Sequence, residues 1–228
     1  MSKWILWDFD GTLAWREGFF SGALLKVLKK YTDMDTTIDD IRAYLKNGFP
    51  WHEPEKCYED LCEYNKWWDN IEKLFVNAYV KLGIQIEEAI KLAKLAHYEY
   101  VDPEGFSLFP DTIEVLKHYK EKGWSNAILS NHTPDLPQII NSIGLGVFID
   151  VCITSAFIGY EKPNSMFYKK SFDLLGKIDG AWMIGDNFVA DIQGAEAVGL
   201  KTVHVRGKQE DDKHLYSPDL LGLKKIIL

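Results

Sequence analysis

The chain has few cysteines, no internal repeat and no low-complexity tract. Only Cys57, Cys62 and Cys152 are cysteines among its 228 residues. They form no Cys-x-x-Cys pair that would indicate a zinc site or a disulfide framework, so we expect three reduced, buried thiols. A chain of this length buries enough apolar surface to fold without disulfides or a structural metal.

The N-terminus also lacks the features of a secretory leader. The opening residues MSKWILWDFDG contain no long apolar core and no small-residue cleavage site. Residues 139–160 carry little charge and are long enough to suggest a membrane span, but Asn141, Asp150 and three glycines interrupt them. A helix end, a loop and a buried strand are the better interpretation, and we expect a cytoplasmic protein that does not bind membranes.

Positive charge is in deficit. The sequence has 26 Lys and Arg residues against 34 Asp and Glu residues, which gives a net charge of −8. This balance disfavours nonspecific binding to nucleic acid or to an anionic membrane surface. It does not exclude a small anionic substrate, because a local cation decides whether such a molecule binds.

From about residue 103 onwards, short apolar strands alternate regularly with helices. The predicted strands are WSNAILSN, DVCITS, GAWMIGD and KTVHVR, and KWILWDFD is a fifth near the N-terminus. The predicted helix TIEVLKHYKEKG places Ile113, Leu116 and Tyr119 on one face. This alternation indicates βαβ units, and therefore an α/β, Rossmann-like parallel sheet with helices on both faces.

The residues between the first strand and this alternating region have a helical period and no strand signal. Their first segment, FFSGALLKVLKKY, has one apolar helical face made of four residues, Phe20, Leu24, Val27 and Tyr31. The simplest architecture is an all-helical cap of residues 16–102 inserted into an α/β core. The core then consists of residues 1–15 and 103–228.

Two carboxylates end the first predicted strand, in the sequence WILWDFDGT. Side chains alternate along an extended backbone, so Asp8 and Asp10 point the same way and Phe9 points to the other side. Acid-x-acid pairs are common by chance, but this pair lies at the carboxyl end of a strand, where open α/β sheets bind their ligands. Gly11 permits a tight turn, and Thr12 offers a hydroxyl and an N–H group.

Polar residues end three more of the predicted strands. Ser130 and Asn131 follow the strand AILS, Lys162 precedes Pro163 after the next strand, and Asp186 follows MIG. Asp191 comes five residues later. A parallel sheet brings these ends to one edge, where four carboxylates face one lysine. A bound Mg²⁺, which prefers oxygen ligands, would balance this surplus of negative charge.

In this order, DFDGT, SN, a lysine before proline and GD with a later aspartate resemble the four motifs of the haloacid dehalogenase-like hydrolases. These enzymes form the phosphatase superfamily that uses an aspartate nucleophile. The resemblance covers the core from Lys3 to about Arg206. The helical insertion after the first motif is similar to the small α-helical cap of the phosphoglycolate phosphatase-like and β-phosphoglucomutase-like members.

The resemblance implies a role for each matching acid. Asp8 would attack phosphorus and form an aspartyl-phosphate. Asp10 would protonate the leaving alcohol and then deprotonate the water that hydrolyses the intermediate. Asp8, the backbone carbonyl of Asp10, and Asp186 would bind Mg²⁺. Asp191 would orient the metal's waters or Lys162.

The resemblance also implies a phosphate site, formed by Gly11, Thr12, Ser130, Asn131 and Lys162. The lysine would balance charge on the nucleophile and on the phosphoryl group. The implied function is the Mg²⁺-dependent hydrolysis of a small phosphorylated metabolite. The sequence identifies neither the leaving group nor the oligomeric state.

Two residues favour phosphate hydrolysis over related chemistries. Dehalogenases lack an acid two residues after the nucleophile, where this chain has Asp10. Sugar phosphomutases usually carry Glu-Asp in the fourth motif, where this chain has Gly185 and Asp186. A β-phosphoglucomutase-like mutase remains the alternative. A non-enzymatic phospho-acceptor domain of the signalling type is another, although such domains are shorter and lack the helical insertion.

Predictions outside the four motifs concern the cap loop and two further residues. Arg42, Phe49 and Trp51 are predicted to contact the substrate from the cap, where closure would exclude water. Trp7 stands where a smaller apolar residue is more usual, and it is expected to shape the pocket wall. His132 is expected to be a hydrogen-bonded surface residue.

Overall fold

The predicted parallel sheet is present and is built around the first strand. The structure, a computed structural model, describes residues 3–228. Its strand β1 (Lys3–Trp7) is central. Five further strands of this sheet are β4 (Ser125–Ser130), β5 (Val151–Thr154), β6 (Gly180–Gly185), β7 (Lys201–Val205) and β8 (Tyr216–Ser217). Within the described residues the order across the sheet is β5-β4-β1-β6-β7-β8, all parallel. β8 is an addition to the five predicted strands.

Helices cover both faces of this sheet. They are α5 (Thr112–Glu121), α6 (Leu136–Ser142), α7 (Ser155–Ile158), α8 (Ser165–Leu175), α9 (Gly194–Glu196) and α10 (Leu223–Ile226). β1 shows why two faces are needed: Ile5 and Trp7 join one apolar cluster, whereas Trp4 and Leu6 join another. The α/β, Rossmann-like fold is therefore confirmed.

The helical segment has an apolar core of its own. Its helices are α1 (Phe19–Tyr31), α2 (Ile38–Tyr44), α3 (Tyr64–Lys81) and α4 (Ile86–Val101). Short 3₁₀ turns occupy Pro50–His52, Glu59–Leu61 and Pro103–Gly105. The buried side chains of the four helices form a cluster that includes Phe20, Leu24 and Phe75. The proposed division at residues 16–102 agrees with this separate cluster and stays a prediction.

Two three-residue strands lie where the chain leaves and re-enters the core, and the sequence did not predict them. β2 (Ala14–Arg16) pairs antiparallel with β3 (Phe106–Leu108). The pair draws the two ends of the helical segment together beside the carboxyl end of β1.

Some local predictions were wrong. The buried face of α5 is formed by Thr112, Val115, Leu116 and Tyr119. Ile113, which was placed on that face, is 36% exposed, and Tyr31 of α1 is 49% exposed. Both lie off the main apolar stripe of their helices, where an isolated exposed hydrophobic residue is ordinary.

The cysteines and the apolar stretch 139–160 can be placed directly. All three cysteines are free, as expected, but Cys57 is exposed and Cys62 and Cys152 are half-buried, so the prediction of buried thiols was wrong. Residues 139–160 form the end of α6, a loop, β5 and α7. No helix within residues 3–228 is both long enough and apolar enough to cross a bilayer.

Candidate active site

Asp8 and Asp10 follow β1 directly and face the same cavity. Asp8 is 7% exposed. Both acids line a cavity of about 620 Å³ whose walls come from the strand ends and from the helical segment. Phe9, between them, is fully buried in the apolar core. The two acids therefore share one side of the extended chain, as the alternation of side chains predicts.

Lys162 contacts Asp8 and is almost fully buried. Its Nζ donates to Asp8 Oδ1 at 2.8 Å, to Asp191 Oδ1 at 2.5 Å and to the Leu129 carbonyl at 2.7 Å. Burial alone would lower the pKa of Lys162, but the charges of Asp191 and Asp8 outweigh it and raise that pKa above its usual range. The side chain is therefore an ammonium that holds the nucleophile candidate in place.

Ser130 is the last residue of β4 and Asn131 follows it. Their side chains form hydrogen bonds with different residues. Ser130 Oγ donates to Asp8 Oδ1 at 2.9 Å. The Asn131 side chain makes a reciprocal pair with the backbone of Lys162: its Nδ2 donates to the Lys162 carbonyl at 2.9 Å, and its Oδ1 accepts from the Lys162 N–H at 2.7 Å. Asn131 therefore fixes the lysine's backbone, a role that the sequence did not indicate.

Gly11 and Thr12 lie next to Asp186. Thr12 Oγ1 donates to Asp186 Oδ1 at 3.1 Å. Gly11 has φ +81°, and a Cβ there would lie 2.3 Å from Asp186 Oδ2. Their N–H groups donate within the turn, to Ala14 and Phe9 carbonyls. Both residues therefore lie beside Asp186, and whether they bind phosphate stays a prediction.

Asp191 is fully buried in a π-helix, Phe188–Gln193. Its Oδ1 accepts a hydrogen bond from Lys162 Nζ, and its Oδ2 accepts one from the Asn187 N–H at 3.0 Å. The helix start is capped by Asn187, whose Oδ1 accepts from Val189 and Ala190. Asp191 therefore takes part in the helix start through the Asn187 N–H, and it also holds Lys162, which agrees with one of its two predicted roles.

The donor set fits a hard dication. Carboxylate oxygens of Asp8, Asp186 and Asp191 lie within 4.8 Å of one another. Burial, and then the charge of Asp8, raise the pKa of Asp186 to about 6. Asp10 Oδ1 is buried without a hydrogen-bond partner among the described residues. Since Lys162 supplies one charge against these carboxylates, an oxygen-ligated Mg²⁺ suits the site.

Asp10 lies beside His132, and the expectation of a surface histidine was wrong. His132 is 2% exposed, and its Nε2 is 3.5 Å from Asp10 Oδ2. Burial lowers the pKa of His132 to about 4, so the ring is neutral. Burial, and then the charges of Asp8 and Asp186, raise the pKa of Asp10 well above its usual range. Asp10 therefore tends to keep its proton.

The three predicted cap residues all line the cavity. Phe49 and Trp51 are stacked, with ring centroids 4.7 Å apart and planes 11° apart. Arg42 also lines the cavity, and its Nη1 lies 2.9 Å from Asp39 Oδ1 at a mostly exposed position. Whether these three residues touch the substrate stays a prediction.

The structure adds one aromatic residue to the cavity and removes another from its wall. Phe19, which was not among the predicted site residues, lines the cavity. Trp7, expected in the pocket wall, points to the opposite side of β1: its ring packs near Tyr119 in the core, and its Nε1 donates to Asn126 Oδ1 at 3.1 Å. Trp7 therefore satisfies its one polar atom inside the core.

Comparisons with known proteins agree with this geometry. A ribulose-1,5-bisphosphate 5-phosphatase of Halopiger xanaduensis is 37% identical over 111 residues, covering 48% of this chain and 46% of that protein. A glyceraldehyde 3-phosphate phosphatase of Methanocaldococcus jannaschii is 28% identical over 220 residues, covering 92% and 88%. The chain thus spans about half the length of the first relative and most of the second.

A solved structure and a family model complete the comparison. The hydrolase YfnB of Bacillus subtilis, solved with magnesium bound, superposes with a TM-score of 0.76 at 18% identity, covering 99% of this chain and 98% of that one. That likeness shows the fold. The model of the haloacid dehalogenase-like hydrolases matches residues 2–199. A match of this extent means that the chain belongs to the haloacid dehalogenase-like hydrolase family.

Proposed function

We propose that this hydrolase is an Mg²⁺-dependent phosphatase that cleaves a small phosphate monoester through an aspartyl-phosphate on Asp8. The observation that carries the proposal is the pairing of two unlike acids on one cavity. Asp8 accepts hydrogen bonds from Lys162 and Ser130. Asp10 is two residues away and has a raised pKa. A nucleophile and a general acid are what ester cleavage at phosphorus needs.

Each step follows from these positions. An Asp8 oxygen attacks phosphorus, and the bond between phosphorus and the ester oxygen breaks. Asp10 gives its proton to that oxygen, which leaves as the alcohol. Asp10, now ionised, takes a proton from a water that attacks phosphorus, so inorganic phosphate leaves and Asp8 is restored. Lys162 stays charged throughout and stabilises the negative charge nearby.

Three of the residues would hold the metal. These are the carboxylates of Asp8 and Asp186 and the backbone carbonyl of Asp10. When bound, Mg²⁺ would neutralise negative charge on the phosphoryl oxygens, which otherwise face the acids. Thr12 donates to Asp186, and Gly11 leaves the room that this carboxylate occupies.

The relatives support phosphate chemistry, and Asp10 separates it from alternatives within the family. A dehalogenase reaction needs no acid at that position. Gly185 before Asp186 favours hydrolysis over a β-phosphoglucomutase-like transfer. Family membership favours an enzyme over a phospho-acceptor signalling domain. The phosphoglycolate phosphatase-like or β-phosphoglucomutase-like subclass, with its cap at residues 16–102, and the location in the cytoplasm remain part of this proposal.

The first test removes the nucleophile. Asp8→Asn is expected to lower kcat for p-nitrophenyl phosphate by at least roughly 10³-fold, as loss of a nucleophile does in other enzymes. Excess EDTA should also abolish turnover of the wild-type protein. Asp173→Asn, an exposed change on α8, is the matched control and should keep wild-type activity. Undiminished turnover by Asp8→Asn would remove the proposed mechanism.

A second test distinguishes the chemistries. A single turnover is carried out in water labelled with heavy oxygen. The inorganic phosphate and the protein are then analysed by mass spectrometry. Attack of water on phosphorus puts the label in inorganic phosphate, whereas an ester intermediate opened at its carbonyl puts the label in Asp8. Label in Asp8 would contradict the proposed attack of water on phosphorus. Transfer of phosphate to a second hydroxyl of the substrate, without release, would favour the mutase.

A further inference from the structure

The cavity is larger than a phosphate site, and aromatic rings form much of its wall on the side of the helical segment. Its volume of about 620 Å³ lies within the range of pockets that hold a whole small ligand. Five aromatic side chains line it on the side of the helical segment, namely Phe19, Phe20, Phe49, Trp51 and Tyr100. The leaving group of an ester bound at Asp8 therefore shares its cavity with these rings.

Phe19 is exposed to the cavity in an unfavourable backbone conformation. Its φ is +47°, in the left-handed region that a bulky side chain rarely adopts. Its ring is nevertheless 44% exposed, so burial in the free protein does not compensate the strain. Backbone outliers of this kind cluster at ligand sites. A ligand that fills the cavity would bury part of this exposed side chain.

The indole ring of Trp51 lies at the end of a stack of aromatic rings. It lies in the 3₁₀ turn Pro50–His52 and stacks on Phe49 and on Phe20, the latter with centroids 5.8 Å apart and planes 19° apart. Phe20 in turn stacks on Tyr100 with centroids 3.8 Å apart. The indole is therefore held in a fixed plane while it remains only half-buried.

The chemistry of this wall selects among leaving groups. A leaving group with several hydroxyls needs a hydrogen-bond partner for each hydroxyl that it buries, and the rings provide few. A flat unsaturated ring instead stacks on aromatic side chains with a gain beyond its area burial. Arg42, which also lines the cavity, adds a guanidinium that stacks on such rings as well.

We infer that the substrate is a phosphate monoester whose leaving group carries a flat aromatic ring, bound against Phe19 and Trp51. This inference rests on the proposed phosphatase function and names its substrate class. A nucleobase and another aryl ring share the chemistry, and the test below separates them.

The test compares esters whose alcohols have similar acidity, so that the chemical step is matched. The three esters are ethyl phosphate, 2-cyclohexylethyl phosphate and 2-phenylethyl phosphate. We expect kcat/KM for the phenylethyl ester to exceed that of the ethyl ester by roughly 10- to 100-fold, and that of the cyclohexyl ester by about threefold or more. Adenosine 5′-monophosphate against ribose 5-phosphate forms a second pair: a preference there identifies a nucleobase, and its absence identifies another aryl ring.

Variants tie the preference to the two rings. Trp51→Leu and Phe19→Leu each remove a ring; leucine at position 19 keeps the strained backbone, so only the ring changes. Each should lower the phenylethyl-to-cyclohexylethyl ratio of kcat/KM towards one, because leucine keeps an apolar contact but has no ring on which the substrate can stack. Phe157→Leu, at an exposed position on α7 away from the cavity, is the matched control and should keep the ratio.

Different outcomes would overturn the inference about the leaving group and the phosphatase proposal on which it rests. Equal kcat/KM for the three alkyl esters, or a cyclohexyl ester as good as the phenylethyl ester, would overturn the inference while the phosphatase proposal stands. A preference unchanged in both leucine variants would also overturn it. Hydrolysis of none of these esters, nor of p-nitrophenyl phosphate, would contradict the proposed function and the inference with it.

Discussion

At the scale of single residues, the two acids after β1 differ in how firmly they are held. Asp8 receives hydrogen bonds from both Ser130 and Lys162. Asp10 has one buried oxygen without a partner, and the neutral ring of His132 lies 3.5 Å from the other, just beyond hydrogen-bond range. Catalytic hydrogen bonds often tighten only when substrate binds. His132 is therefore suited to position Asp10.

His132→Phe tests this positioning role. We expect kcat for ethyl phosphate to fall by roughly 10- to 100-fold, because a poor leaving group needs a well-placed proton donor. The kcat for p-nitrophenyl phosphate should change far less, since its leaving group departs as the anion, and KM should move little for either ester. The measurement is steady-state kinetics on the two esters.

A conservative variant separates positioning from packing. His132→Gln keeps a donor and should recover part of the lost rate on ethyl phosphate, whereas a purely structural role would make both variants slow on both esters. Equal losses on ethyl and p-nitrophenyl phosphate would show that His132 does not act through Asp10.

Glu161 gives the protein a predictable response to pH. It is 2% exposed, and its Oε2 has no hydrogen-bond partner among the described residues. Burial raises the pKa of Glu161 from 4.5 to about 7, against the smaller opposing effects of Ser155 and Lys162. The folded protein therefore holds this proton more tightly than the unfolded chain does. Its contribution to stability is complete below the unfolded pKa and is lost as the pH rises through about 7.

Glu161→Gln should remove the loss of stability that the wild-type protein undergoes as the pH rises. Relative to wild type, the variant's free energy of unfolding should increase by about 3 kcal/mol between about pH 4.5 and about pH 8. Urea denaturation at the two pH values measures it, with Glu210→Gln at an exposed position as the control. If the difference between Glu161→Gln and wild type is the same at both pH values, Glu161 does not titrate as described.

The sequence predicted the four strand-end motifs because each consists of polar residues at a fixed place after an apolar strand. Asp8, Lys162 and Asp186 could be brought together from topology alone. The role of Thr12 could not, because it depends on which way a hydroxyl turns within one loop. The exposure of Phe19 depends on a single φ angle, which a pattern of apolar residues does not encode.

At the scale of elements, the long periodic segments were predictable and the short ones were not. β2 and β3 have three residues each, too few for a recognisable alternation. The segment ADIQGAEAVG shows a helical period, but the structure divides it between a π-helix and α9. The difference matters because the wider turn belongs to the segment that carries Asp191.

The contact between α3 and the core shows a further limit of sequence patterns. Asp135, just before α6, accepts from the Tyr64 hydroxyl at 2.7 Å and from Trp68 Nε1 at 2.9 Å. Both donors lie on α3. Periodicity identifies an aromatic helix face, but it does not identify the buried carboxylate, some seventy residues away, that satisfies its polar atoms.

At the scale of the whole molecule, stability and function compete at one edge of the sheet. Folding brings Asp8, Asp10, Asp186 and Asp191 together from distant parts of the chain, and Lys162 balances only part of their charge. Like charges in a partly buried site repel one another. Metal binding should therefore stabilise the fold as well as activate it, because the site exists only in the folded state.

Thermal unfolding measures this linkage without any assay of activity. Mg²⁺ at about 100 times its Kd should stabilise the wild-type protein by about 2.7 kcal/mol, which raises Tm by roughly 5–10 °C in a chain of this size. EDTA should reverse the rise, and NaCl at equal ionic strength should not reproduce it. Asp173→Asn should behave as wild type.

Asp186→Asn makes the prediction specific to this edge of the sheet. Without metal, the variant should melt higher than wild type, because one repelling carboxylate is gone while its shape and its contact with Thr12 are largely kept. With Mg²⁺ it should show little of the wild-type rise, because one ligand is lost. The two proteins therefore exchange their order of stability when Mg²⁺ is added. An equal rise in both would mean that the metal binds elsewhere, and the surplus of charge at the strand ends would then need another explanation.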